Sequence, residues 1–132
     1  MKILIVEDDL MSRKLLEAQL CAYGECHLAK NGQEALEAIV MSQSDGKRFD
    51  LVCLDIMMPG ISGQEVLKHL RNVESELGLP PGEETKVIMT TALKDSANVM
   101  AAFKEQCNGY LVKPIKQNKM KAMLKELKLL PE

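Results

Sequence analysis

Two kinds of apolar pattern alternate along this chain five times over, and that alternation limits the folds open to it. Ile3-Leu4-Ile5-Val6 is a short run with no polar face, the signature of a strand covered on both sides. The next apolar residues, Met11, Leu15, Ala18 and Ala22, fall at helical spacing, and Gly24 is expected to stop that helix. Residues 26–29 form a weaker strand candidate, closed by the turn signal Asn31-Gly32, and Leu36, Ile39 and Val40 mark a second helix. The third strand is expected over residues 50–54, broken after by Met58-Pro59-Gly60, and Val66, Leu70, Val73 and Leu77 stripe a third helix. Residues 87–91, rich in β-branched side chains, form a fourth strand. Val99, Met100 and Phe103 suggest a fourth helix, residues 110–112 a fifth strand, and Met120, Met123, Leu124 and Leu127 a last helix. Strict alternation of this kind predicts an α/β fold, a (βα)5 doubly wound five-stranded parallel sheet with helices on both faces.

Bulk properties exclude several classes. At 132 residues the chain can bury one substantial core. A formal net charge of -2 supplies no basic field for nucleic acid, and two Phe, two Tyr and no Trp offer little for base stacking. Cysteines at 21, 26, 53 and 107 form no C-x-x-C pair, so neither a zinc site nor a disulfide framework is expected. The apolar start turns acidic at Glu7, too early for a signal peptide, and no run approaches membrane-spanning length. A cytoplasmic protein with neither membrane nor nucleic-acid partner is expected.

Ligands of open parallel sheets bind beyond the carboxyl ends of the strands. The first strand ends in Glu7-Asp8-Asp9, the third in Asp55, the fourth in Thr90-Thr91-Ala92 and the fifth in Lys113-Pro114. An acid closing a run as apolar as Leu51-Val52-Cys53-Leu54 is costly unless something neutralises it. Lys113 is one source of charge. Magnesium, or manganese in its place, is another, since it suits an all-oxygen site with one or two carboxylates and a phosphate oxygen. The backbone carbonyl of Met57 could add a neutral ligand. A carboxylate beside a divalent ion and a fixed ammonium is well placed to attack phosphorus. Simpler roles stand beside these. Charge on Asp9 favours the N-terminus of the first helix, Tyr110 can serve packing alone, and Thr91 can be strand filler. Lys116, Lys119, Lys121, Lys125 and Lys128 read as a solvated helix face, and His27 and His69 need no catalytic role.

The stretches ILIVEDD at the start, NGQEAL at 31–36, LDIMMPGISG around Asp55, MTTA at 89–92 and YLVKP at 110–114 together resemble the response-regulator receiver domains of bacterial two-component signalling. The resemblance runs over essentially the whole chain. It implies a flavodoxin-like fold with strand order 2-1-3-4-5 and a single receiver domain over residues 1–132, with no output domain. It makes Asp55 the phosphoacceptor. Asp8, Asp55 and the Met57 carbonyl would bind magnesium directly, and Glu7 would act through water. Thr91 would hydrogen-bond the phosphoryl group, Ala92 would leave it room, and Lys113 would pair with it. Pro114 would follow a cis bond, and Tyr110 would be the aromatic switch. The phosphoryl group would come from a histidine kinase or histidine phosphotransfer protein. A downstream protein would then recognise the face of the fourth helix, fifth strand and fifth helix on a monomer or weak dimer. Such a stand-alone switch is not an enzyme beyond catalysing its own phosphorylation and slow autodephosphorylation.

Two other classes are weighed. Aspartyl-phosphate hydrolases of the haloacid-dehalogenase type carry a second Asp two residues past the nucleophile, where this chain has Met57. Degenerate receivers that act without phosphorylation tend to lose an acid or the lysine, and this chain keeps both. Met57 and Leu93, two residues beyond Asp55 and Thr91, cannot orient water by hydrogen bonding, so autodephosphorylation is expected to be slow. Loops at 42–49 and 78–85 look enlarged and should lie at the end of the sheet opposite Asp55; neither is expected to be an active-site lid, and either could serve partner docking.

Overall fold

The apolar opening run forms β1 (Lys2–Val6), which is flanked in the sheet by β2 (Glu25–Ala29) and β3 (Leu51–Asp55). β4 (Lys86–Ala92) and β5 (Gly109–Lys113) extend the same sheet, giving the order 2-1-3-4-5 with every neighbouring pair parallel. These coordinates come from a computed structural model and describe residues 1–92 and 107–131. The helix expected around Val99, Met100 and Phe103, and Leu93 with it, lies outside the described residues.

Because strand side chains alternate between faces, the sheet builds two cores. Ile3, Ile5, Cys53, Ile88 and Leu111 meet Leu16 and Leu20 of α1 (Leu10–Leu20) and Met120 and Leu124 of α4 (Gln117–Glu126). On the other face Leu4, Val6, Val52, Leu54, Val87 and Met89 meet Ala35 and Ile39 of α2 (Gly32–Ser44) and Val66, Leu67 and Leu70 of α3 (Gly63–Leu77). This is the expected doubly wound α/β sandwich.

Local signals set the helix ends. The side chain of Asp9 accepts from Ser12 N (2.8 Å), and Asn31 accepts from Glu34 N (2.8 Å). Each thereby satisfies an amide that the first turn leaves unpaired. Gly78 closes α3 at φ 62°, in the left-handed region.

Two expectations need correction in α1. The stripe of Met11, Leu15, Ala18 and Ala22 is not the buried face: Met11 is 74% exposed, while Leu16, Gln19 and Leu20 face inward. The inner face carries a glutamine because that side chain satisfies a buried carbonyl, so periodicity alone selected the wrong arc. The helix also ends at Leu20, before Gly24. Gly24 is needed for a different reason, since a Cβ there would stand 2.2 Å from the carbonyl oxygen of Met1.

At the amino end of the sheet the two enlarged loops are joined. The Arg48 guanidinium donates to Glu83 O (2.6 Å), and the Thr85 hydroxyl donates to Phe49 O (2.9 Å). Glu74, only 4% exposed, accepts from Thr85 N (2.6 Å) and from Arg71 (2.6 Å), whose guanidinium also reaches Asn108 Oδ1 (3.1 Å). Removing a buried acceptor strands its donors, at a cost of about 1–3 kcal/mol. Glu74→Leu is therefore expected to lower unfolding stability by roughly 2 kcal/mol, read as a fall in the urea midpoint at unchanged slope.

Candidate functional site

The pleat that sorts the two cores also builds the site. On β1 the residue following Ile3 and Ile5 on the same face is Glu7; on β3, after Leu51 and Cys53, it is Asp55; on β5, after Leu111, it is Lys113. Parallel pairing sets Val6 beside Leu54, Asp55 beside Thr90 and Ala92 beside Lys113. The three charged side chains therefore emerge together at the carboxyl edge, directly above the core between the sheet and helices α1 and α4. Ala92 presents only a methyl group beside Lys113, which leaves the lysine stem its path across β4.

Lys113 Nζ stands 2.5 Å from Glu7 Oε1 and 3.4 Å from Asp55 Oδ2. Glu7 is fully buried, and its other oxygen accepts from Asp9 N (3.1 Å). Asp55 is 3% exposed and accepts from Met57 N (3.2 Å). Asp8 is exposed at the rim, and carboxylate oxygens of Glu7, Asp8 and Asp55 lie within 4.8 Å of one another. Burial pushes the Asp55 carboxyl up to about 7, the acids Glu7 and Asp8 push the same way, and Lys113 opposes them. Burial by itself would lower the Lys113 ammonium, but the pairing with Glu7 and Asp55 outweighs it and its pKa is raised. Three carboxylates around one ammonium leave an excess of negative charge among oxygen donors. That donor set fits a hard divalent cation.

Strand ends are held by backbone contacts. Ile56 N donates to Thr90 O (3.1 Å) and Gly63 N to Ile56 O (3.2 Å). A Cβ on Gly63 would lie 2.3 Å from Asp55 O, so only glycine lets α3 start this close to the acid. Thr91 is buried, with its hydroxyl donating to Ala92 O (3.3 Å), and by register it shares the opposite face of the sheet with Tyr110, which is 38% exposed. The Met57 side chain is exposed, and the Lys113–Pro114 bond is cis.

Two residues of α1 that sequence reasoning did not single out hold backbone carbonyls at or next to the site. Arg13 donates to Glu7 O (2.9 Å), and Gln19 donates to Ile115 O (2.8 Å). A polar residue beside Leu16 and Leu20 was the available signal. No helix among the described residues is long and apolar enough to cross a membrane.

With this geometry in place, comparisons with known proteins agree on a family. Residues 3–125 match the response regulator receiver domain, and the chain belongs to that family. It is 31% identical over 127 residues to the osmosensing histidine protein kinase SLN1 of Saccharomyces cerevisiae, covering 95% of this chain and 10% of that protein. It is 33% identical over 127 residues to the probable transcriptional regulator ycf27 of Cyanophora paradoxa, covering 96% of this chain and 47% of that protein. The chain thus spans less than half the length of these curated relatives. Among solved structures it is similar to the BeF3-activated DrrB receiver domain (27% identity, TM-score 0.75, 96% of each chain). It is also similar to the Vibrio cholerae chemotaxis protein CheY4 (26% identity, TM-score 0.73, 96% of this chain and 97% of that one). Receiver domains are signalling switches that relay signals with histidine kinases and phosphotransfer proteins.

The raised carboxyl of Asp55 makes a stability prediction. The folded state keeps its proton up to about 7, whereas an ordinary Asp carboxyl loses it near 3.8. Stability therefore falls as pH rises between those values and stays low above them. Asp55→Asn removes that loss. In metal-free buffer it is expected to melt several degrees above wild type at pH 8, with the gap closing toward pH 4. Thermal melts across that range check it; a gap independent of pH would contradict the assignment.

Proposed function

We propose that this chain is a phosphorylation switch whose acceptor is Asp55. The observation that supports it best is a nearly buried carboxylate sharing one ammonium with Glu7 and lying beside one further acid, Asp8. Asp8, Asp55 and the Met57 carbonyl would hold magnesium, or manganese in its place, with Glu7 acting through water. The bound ion supplies positive charge that keeps Asp55 ionised and draws electron density from phosphoryl oxygens.

In the transfer, a carboxylate oxygen of Asp55 attacks phosphorus. The bond from phosphorus to the donor's imidazole nitrogen breaks, and its electron pair leaves on that nitrogen. The donor is a phosphohistidine of a histidine kinase or histidine phosphotransfer protein. Lys113, already 3.4 Å from Asp55, pairs with the new phosphoryl oxygens, and Ala92 leaves them room. The Thr91 hydroxyl turns from Ala92 O to the phosphoryl group. Tyr110, on the same face as Thr91, then moves inward, so that a downstream protein meets a changed surface around β5 and its flanking helices. This shift is limited by how differently the phosphoryl group interacts with the two arrangements. We further propose that this receiver domain works in the cytoplasm. A hydrolase reading is less well supported, because Met57 occupies the position where a second acid would protonate the leaving group.

Intact mass after incubation with acetyl phosphate tests the proposal. One added phosphoryl group is expected with magnesium, none in chelator and none in Asp55→Asn. No adduct on wild type, with no phosphate release, would overturn it. Slow loss of the group follows from Met57, whose side chain cannot hydrogen-bond water. Met57→Asn is expected to speed that loss several-fold in a time course after the donor is removed.

A further inference from the structure

We propose that Gln19 is a positioning residue for phosphorylation of Asp55: from the buried face of α1 it holds the carbonyl of Ile115 and so sets where Lys113 stands between Glu7 and Asp55. The inference rests on the phosphoacceptor reading above.

Gln19 is 6% exposed, with Leu16 and Leu20 beside it on the inner face of α1. An apolar side chain would fill that position with no polar group to desolvate. The amide oxygen of Gln19 is itself buried and has no hydrogen-bond partner among the described residues. Packing therefore does not account for an amide here. The bond from Gln19 Nε2 to Ile115 O does, at 2.8 Å and across 96 residues of sequence. Ile115 O lies beyond the ladder of β5 and ahead of Lys116 O, which accepts the first bonds of α4.

Ile115 is two residues past Lys113, and between them stands Pro114. Its ring fixes one of the few backbone dihedrals through which a shift at Ile115 could be absorbed before it reaches Lys113. The same helix holds the other partner of the ion pair, since Arg13 donates to Glu7 O (2.9 Å). Helix α1 thus fixes the backbone behind the acid and the backbone behind the ammonium in one frame. A cavity of about 280 Å³ between Leu15, Leu16, Pro114 and Ile115 opens onto Glu7 and Lys113, so packing alone does not hold this seam closed.

The test compares wild type, Gln19→Leu and Gln19→Met, either of which serves if the other fails to fold. Melting temperature, magnesium dependence and the acetyl phosphate time course are read by calorimetry and intact mass. The expected result is a melting temperature at or above wild type and an unchanged half-saturating magnesium concentration. The maximal phosphorylation rate should fall roughly tenfold, the scale of a sub-ångström misplacement. In a Lys113→Ala background the same change should lower the rate no further, as non-additivity requires of two residues acting through one group. A wild-type rate, or an effect that multiplies with Lys113→Ala, would overturn the inference. If wild type itself takes up no phosphoryl group, the phosphoacceptor reading falls separately. The contact is then judged on the NMR resonances of the Lys113 side chain: a shift in Gln19→Leu upholds the positioning, and an unchanged spectrum overturns it.

Discussion

Lys113 brings one positive charge to a sheet edge that carries Glu7, Asp8 and Asp55, and its Nζ stands closer to Glu7 than to Asp55. That uneven sharing governs the chemistry of the edge. Glu7, fully buried, takes the closer share of that charge, because leaving a buried carboxylate unpaired is costly. Burial, with Glu7 beside it, pushes the Asp55 carboxyl up to about 7, and the weaker half of the interaction with Lys113 does not offset it. The acid best placed for reaction is therefore also the one least satisfied at rest. A divalent ion or a phosphoryl group arriving there meets a site already short of positive charge and long on oxygen donors.

Such an edge arises from the sheet's own geometry. A parallel sheet buried on both faces brings all its carboxyl ends to one rim, and the two-residue period selects which side chains share a face. Ile3, Ile5 and Glu7 belong to one series, and Leu51, Cys53 and Asp55 to another. The charged residues are continuations of the core, placed one step beyond its end. Thr91 and Tyr110 belong to the alternate series, so any response that links them to Asp55 must pass across the strand ends and not through the core beneath.

Stability and chemistry are kept apart by the length of the strands. The bonds from Arg48 to Glu83 O and from Thr85 to Phe49 O tie the two enlarged loops together at the amino end, beside the buried Glu74 that accepts from Arg71 and Thr85, away from the carboxylates at the other. Neither loop contributes a side chain to the charged edge formed by Glu7, Asp8, Asp55 and Lys113.

Much of this was legible in the residues. Continuous apolar runs ending in Glu7, Asp55 and Lys113 implied both the parallel sheet and the edge where those residues gather, because strand period and the rule for parallel sheets are local and general. The inner face of α1 was not legible. Periodicity favoured Met11 and Leu15, whereas the fold buries Gln19 against Ile115 O, a contact with a carbonyl 96 positions away that no local pattern encodes. The role of Gly24 was misjudged for the same reason, since the atom it avoids belongs to Met1. Sequence alone determined which side chains would stand at the strand ends, through a period of two that needs no partner to operate. Only the tertiary structure decided how they share charge, because the division of one ammonium between Glu7 and Asp55 depends on where α1 holds the backbones behind them.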